Sequence, residues 1–253
     1  MKDRSLTSGL KLENVSHSYG NVAVLKDLNI VVKPNEIVVL VGPSGCGKTT
    51  ILNLLSGHIE PVSGAITRAG IIRTVYQQDG LFPWLTVAEN ISMGLRSANN
   101  GATHGSELVE LIELIRLEGF ENHYPHELSG GMRQRVELAR VLAGDSDILL
   151  MDEPFSALDY QSRLRMRHEL IRLLTKRPRT VVFVTHDIEE AAQLADRVLV
   201  LSNRPATICR ELEIKAQKPR KLSDVSVISA MEEILHELGL DTPEDNNLQR
   251  MSI

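Results

Sequence analysis

Gly42-Pro43-Ser44-Gly45-Cys46-Gly47-Lys48-Thr49 stands between an apolar run, Ile37 to Val41, and the segment Thr50-Ile51-Leu52-Asn53-Leu54-Leu55, whose pattern predicts a helix. The order is strand, glycine-rich loop, helix start. Glycines let the backbone turn tightly and point its N–H groups inward, and the helix N-terminus adds partial positive charge, so the loop forms a cradle for phosphates. Every required position of the phosphate-loop pattern is filled in the context the pattern needs. Lys48 is placed to reach the outer phosphates and Thr49 to ligate Mg²⁺. The loop residues Gly42, Pro43, Ser44, Gly45, Cys46, Gly47, Lys48, Thr49 and Thr50 are therefore the first candidates for contact with a nucleotide.

A second glycine pair opens another helical pattern in Leu128-Ser129-Gly130-Gly131-Met132-Arg133-Gln134-Arg135-Val136-Glu137-Leu138-Ala139-Arg140. It makes a second anion-binding helix start. Soon after, Ile148-Leu149-Leu150-Met151-Asp152-Glu153 reads as a buried strand ending in two carboxylates. Over roughly residues 10 to 205 the chain resembles the ATP-binding-cassette (ABC) family, whose Walker A loop, signature loop and Walker B strand occur here in the family's order. The resemblance implies an α/β fold: a P-loop NTPase of ABC type with a RecA-like parallel-sheet core, an antiparallel β-subdomain and a helical signature subdomain. The cofactors it implies are ATP and Mg²⁺.

Hydrolysis requires a fixed γ-phosphate, neutralised charge and a water placed in line. Lys48 and the loop amides supply neutralisation, while Thr49 and Asp152, directly or through water, are candidate Mg²⁺ ligands, with Gln77 the third candidate at the metal through the resemblance named above. The family resemblance implies roles for several further residues. Glu153 resembles the carboxylate that polarises water, and His186, after Val181-Val182-Phe183-Val184-Thr185, resembles the histidine that contacts the γ-phosphate. Gln77 resembles the glutamine that senses Mg²⁺ and water; counting back from Leu81-Phe82-Pro83 favours Gln77 over Gln78. Asp159 closes Ser156-Ala157-Leu158-Asp159, which matches the D-loop, and Tyr19 matches the aromatic that stacks on adenine. In the family two cassettes pair head to tail, so Ser129, Gly130 and Gly131 of one would close over the nucleotide of the other. One cassette per chain implies a homodimer or a pair with a close paralogue. Met132 departs from the commoner glutamine of the signature, yet the serine and glycine amides remain.

Composition bounds the alternatives. With 253 residues, 28 basic and 33 acidic side chains and a formal net charge of −5, the chain has room for a large core and no basic face for nucleic acid. No apolar run approaches the ~18 residues of a membrane span, and Met1 to Ser5 lacks a signal-peptide core, so a cytosolic chain is expected. Two cysteines, Cys46 and Cys209, suggest free thiols. His123-Tyr124-Pro125-His126 makes a poor zinc site. Lys218-Pro219-Arg220-Lys221 reads as a solvated charge run, with approach to anionic lipid as the alternative.

Alternating apolar positions from 10 to 41 predict an antiparallel β-subdomain, with short strands near Ile66 and Ile71 to Tyr76. Residues 84 to 143 read as a helical insert, Leu108, Leu111, Ile112 and Ile115 sharing one face. Strands at Thr180 to Thr185 and Arg197 to Ser202 alternate with helices at Tyr160 to Thr175 and Ile188 to Leu194. The cassette is expected to span 1–205. Residues 206–253 are expected to form a short extension with one amphipathic helix, capped by Gly239, and a frayed tail from Asp241.

Soluble relatives tend to carry two cassettes, long coiled-coil arms or a dedicated assembly partner, and this chain has neither a second cassette nor sustained heptads. The segment Leu81-Phe82-Pro83-Trp84-Leu85-Thr86-Val87-Ala88-Glu89-Asn90 is similar to that of importers for nitrate, sulfonates and taurine. The resemblance thus implies a peripheral ATPase on the cytoplasmic face of the inner membrane. Its expected partners are permease subunits and, indirectly, a solute-binding protein. A soluble assembly or repair ATPase and an exporter cassette are the alternatives.

Overall fold

Unbroken apolar runs build the strands β3 (Ile37–Val41), β6 (Ile148–Asp152, apolar up to its terminal carboxylate) and β7 (Thr180–Val184, apolar after its threonine), the signature of strands covered on both faces. The computed structural model describes residues 9–77, 80–96 and 104–240. Met1 to Ser5, Gln78 and the tail from Asp241 lie outside the described residues. The six-stranded core sheet has the order β5-β6-β7-β3-β8-β9, where β5 is Ile72–Val75, β8 is Arg197–Leu201 and β9 is Ile208–Glu213. Its first five strands are parallel, and β9 runs antiparallel along the edge of β8.

The period of two along each strand sorts the core into two halves. Val39, Val41, Leu149, Met151, Val181 and Phe183 face one cluster with Leu138, Leu142 and Leu170. Val38, Leu40, Leu150, Val182 and Val184 face the other with Ile51, Leu54 and Leu55. Each such side chain contributes roughly 1.5–3 kcal/mol on burial. The second cluster continues into a three-stranded antiparallel sheet of order β2-β1-β4, formed by β1 (Gly9–Tyr19), β2 (Val22–Val32) and β4 (Ser63–Ala69).

The helices are α1 (Lys48–Ser56), α2 (Val87–Arg96), α3 (His104–Ile115), α4 (Gly130–Ala143), α5 (Tyr160–Lys176), α6 (Ile188–Leu194) and α7 (Val225–Glu237). Helix α1 ends at Gly57 in the left-handed conformation, and Gly239 lies just past α7 with φ 66°. The helical stretch from 84 to 143 therefore comprises α2, α3, a 3₁₀ turn at Pro125–Glu127 and α4. No helix among the described residues is long and apolar enough to cross a membrane.

Two features differ from the sequence reading. Strand β9 lies beyond residue 205 yet completes the core sheet, where a polar segment and a helix alone were expected; its exposed charged residues Arg210, Glu211 and Glu213 hide the strand pattern. The run Lys218 to Lys221 is solvated at Pro219 and Lys221 but not at Arg220. Arg220 is 2% exposed and donates to the carbonyls of Ile214 (2.7 Å), Ala216 (2.9 Å) and Ala192 (3.3 Å), so it satisfies orphan carbonyls at the end of α6. Lys218 pairs with Asp196 at 2.6 Å.

Candidate functional site

At the end of β3 the chain cannot continue straight, because α1 must start almost at once. Gly47, with φ 122°, makes this possible: a Cβ there would stand 2.8 Å from Leu25 Cδ2 and 2.9 Å from Val24 Cγ1. The amide of Ile51 bonds the Gly47 carbonyl at 3.0 Å, which sets the first turn of α1. Lys48 is buried and donates to the carbonyls of Gly42 (2.8 Å) and Pro43 (3.0 Å), folding its stem over the loop. Cys46 points inward at 2% exposure, and its amide is taken by Pro43 O. The thiol thus packs the loop from behind.

Asp152 and Glu153 leave the end of β6 toward different neighbours. Burial pushes the Asp152 carboxyl above its ordinary value, opposed by the hydrogen bond with Thr49 and by the charge of Lys48. Thr49 and Asp152 therefore meet. They offer a hydroxyl and one carboxylate, the hard oxygen set that suits Mg²⁺, which is held by one or two carboxylates together with substrate phosphates rather than by a protein cage. When bound, Mg²⁺ supplies charge neutralisation to the phosphates.

Glu153 has φ 47°, a left-handed conformation uncommon for a residue with a side chain. Two bonds hold it there: its amide donates to Val184 O at 3.0 Å, and its carbonyl accepts from Gln134 Nε2 at 3.2 Å. The turned backbone presents the carboxylate to two other predicted residues. His186 Nδ1 lies 3.1 Å from Glu153 Oε1, and Gln77 Nε2 lies 3.4 Å from Oε2. Three side chains from the ends of β5, β6 and β7 converge, and two of them, Gln77 and Glu153, line one cavity with the phosphate loop, whereas His186 does not line it. Such a cluster can orient a water and take its proton.

Behind this cluster lies support that sequence reasoning missed. Gln134, 4% exposed on α4, also accepts from the amide of Ala157 at 2.9 Å, tying the signature helix to the loop after Glu153. Asp187, next to His186, caps α6 and is gripped by Arg163 (2.8 Å) and Arg167 (2.7 Å) of α5. Arg167 is 1% exposed and reaches Glu190 as well, at 3.4 Å. No spacing rule signals these arginines, because their partners lie on another helix; Gln134 stood inside a quoted motif as an inward polar residue.

A cavity of about 350 Å³ is lined by Tyr19, Ser44, Gly45, Lys48, Gln77 and Glu153 among others, Thr49, Thr50 and Arg204 included. Tyr19 is 50% exposed and meets His17 in a T-shaped contact with ring centroids 4.8 Å apart. Ser129, Gly130, Gly131 and Asp159 do not line it. Ser129 caps α4 by accepting from the Met132 amide at 3.3 Å, and Asp159 caps α5, its carboxyl held below the ordinary value by the Ser162 hydroxyl and amide. A Cβ on Gly131 would stand 3.0 Å from Ala157 O. A separate cleft of about 480 Å³ between α3 and α5 contains none of the predicted site residues.

The ABC transporter family matches residues 25–156. The chain is 41% identical over 90% of its length to an aliphatic sulfonates import ATP-binding protein of Rhodococcus jostii, 92% of which is covered. It is 42% identical over 76% of its length to a taurine import ATP-binding protein of Pelagibacter ubique, with 76% of that protein covered. Among solved structures, a dimeric bacterial ABC transporter cassette superposes with a TM-score of 0.73 at 33% identity, covering 82% of this chain and 100% of that one. A dimeric cassette in a post-hydrolysis state bound to ADP and Pi gives 0.72 at 32% identity, with the same coverage of 82% and 100%.

Proposed function

Since this chain belongs to the ABC transporter family, we propose that it is the ATP-hydrolysing subunit of a membrane importer for a small solute such as a sulfonate, taurine or nitrate. The observation that carries the ATPase is the convergence of His186 and Gln77 on Glu153, which with Gln77 lines one cavity with Lys48. In this reading Lys48 and the loop amides hold the phosphates, and Thr49 and Asp152 are the residues that would hold Mg²⁺. Glu153 orients and deprotonates the attacking water while His186 faces the γ-phosphate. Because Ser129, Gly130 and Gly131 lie outside their own cavity, they serve a second copy: two chains pair head to tail, each closing the other's site. The dimeric relatives support this pairing.

Coupling to a permease rests on a second surface. Asn90, fully buried on α2, accepts from the Phe82 amide (2.9 Å) and donates to the carbonyls of Phe82 (3.2 Å), Leu85 (3.0 Å) and Thr86 (3.0 Å). One side chain thereby fixes the whole turn. Thr86 and Glu89 exchange backbone bonds across the start of α2, as a capping box does. The turn presents Phe82, with Arg140 5.3 Å above its ring, to a groove of about 630 Å³ shared with Tyr76, Met93 and His58. Trp84 stands beside it at 69% exposure. Exposed aromatics in a fixed frame suit the docking of a short helix. The chain then sits peripherally on the cytoplasmic face of the membrane. The cassette proper includes the helical arm at 84–143 and strand β9, and the segment after β9 that carries α7 forms the extension.

The test is reconstitution with the permease and binding protein of the same transporter, and then ATP-dependent uptake of labelled sulfonate, taurine and nitrate. ATP hydrolysis without uptake of any of them would sink the import reading. Trp84→Ala is expected to weaken permease co-purification about tenfold or more, the range of an aromatic anchor at an interface. Its thermal melting should not change, because the ring is largely in solvent. Undiminished co-purification would remove Trp84 from the docking surface.

A further inference from the structure

Two cations line the nucleotide cavity among the described residues, Lys48 and Arg204, against one carboxylate, Glu153. Lys48 is a residue any phosphate loop carries; Arg204 comes from the turn after β8 and belongs to none of the motifs that mark the site. Its guanidinium is exposed and makes no hydrogen bond or ion pair with another described residue. Nη2 stands 3.7 Å from the place a Cβ on Gly45 would occupy, so the group hangs directly over the phosphate loop.

The turn that carries it is anchored on both sides. The Ser202 amide bonds Thr207 O at 3.0 Å, the Thr207 amide bonds Ser202 Oγ at 2.9 Å, and the Ala206 amide bonds Val24 O at 2.8 Å. The Lys26 amide returns to Ala206 O at 3.1 Å. Because β2 supplies Val24 to the same cavity, the arginine's backbone and the cavity wall form one hydrogen-bonded unit. A free guanidinium on an ordered stem, facing a loop of inward amides, is arranged to receive a multiply charged oxyanion, and its planar fork matches two phosphate oxygens at once.

We propose that Arg204 is a further nucleotide-binding residue, a second cation beside Lys48 that closes over the phosphate chain at Gly45. The proposal rests on the nucleotide-binding reading above. A triphosphate carries more negative charge than one lysine and one divalent ion offset, and Glu153 adds to that excess; Arg204 reduces it without touching the hydrolytic cluster.

Equilibrium binding of ATP and of adenosine to the full chain tests this with Arg204→Ala and Arg204→Lys at several salt concentrations. Arg204→Ala is expected to bind ATP about five- to tenfold more weakly at low ionic strength, with the gap closing as salt screens the exposed charge. Arg204→Lys should recover part of the loss, and the thermal melting of both variants should match wild type. Adenosine, which lacks phosphates, should bind all three proteins alike. Unchanged ATP affinity in Arg204→Ala overturns the proposal, as does an equal loss for ATP and adenosine or a loss that does not depend on salt. Wild-type protein that binds no ATP overturns the nucleotide-binding reading instead.

Discussion

Replacing Glu153 by Gln is expected to lower the turnover number by about 10² to 10⁴, the usual contribution of a positioned general base. Nucleotide binding should survive. The amide keeps the size of the carboxylate and still offers an oxygen toward His186 and Gln77, so the backbone at φ 47°, fixed by Val184 O and Gln134, has no reason to move. The variant loses only the charge that takes a proton from water. Binding without cleavage leaves the ATP-bound pair of chains with no exit, so the variant should accumulate as a dimer on size exclusion with ATP and Mg²⁺, where wild type returns to monomer as ATP is consumed. A variant that hydrolyses at the wild-type rate would take Glu153 out of the reaction.

Arg167→Leu is expected to destabilise the folded chain by about 3–5 kcal/mol, the range for breaking a buried ion pair on one side. Arg167 is 1% exposed, and the carboxylates it leaves behind, Asp187 and Glu190, are 16% and 4% exposed at their side chains. Burial alone would raise the Asp187 carboxyl, but Arg167 and the hydrogen bond from Arg163 outweigh it and hold the group below its ordinary value. At Glu190 burial wins, against the Thr185 hydrogen bond and Arg167, and the carboxyl is raised. A depressed carboxylate stabilises the fold above its unfolded value and loses that contribution as pH falls through the folded one. A raised one has the opposite sign. Without Arg167 both groups rise, so the deficit of the variant should be largest near neutral pH and should shrink as pH falls into the carboxylate range. Urea unfolding of both proteins across that range measures it. A deficit that is small, or independent of pH, would show that the carboxylates find water or Arg163 instead.

The phosphate loop, the signature and the paired carboxylates were legible because each is a local pattern whose spacing carries its own geometry. The same holds for β3, β6 and β7, where an unbroken apolar run announces a strand covered on both sides. Local reading also placed Gln77, Glu153 and His186 at strand ends, and the parallel sheet then brought those ends together. Arg204 and the pair Arg163 and Arg167 were illegible for the converse reason. The partners of Arg163 and Arg167 and the loop that Arg204 faces are distant in the chain, and an arginine that will be buried is spelled like one that will be solvated. Arg220 shows this most clearly, since Lys218 to Lys221 looks like a surface run until the carbonyls at the end of α6 are seen to need donors. Strand β9 escaped because one face of an edge strand meets water and half of its residues are charged.

That edge strand constrains how the chain can be cut. Terminating it at 205, where the recognisable motifs run out, would strip β8 of its neighbour and leave a row of open amides and carbonyls beside Val198 and Val200, a ready template for another copy to zip onto. It would also delete the guanidinium that plugs α6. A usable minimal fragment therefore has to run at least past Arg220, and one cut at 205 is expected to self-associate through the bared edge of β8.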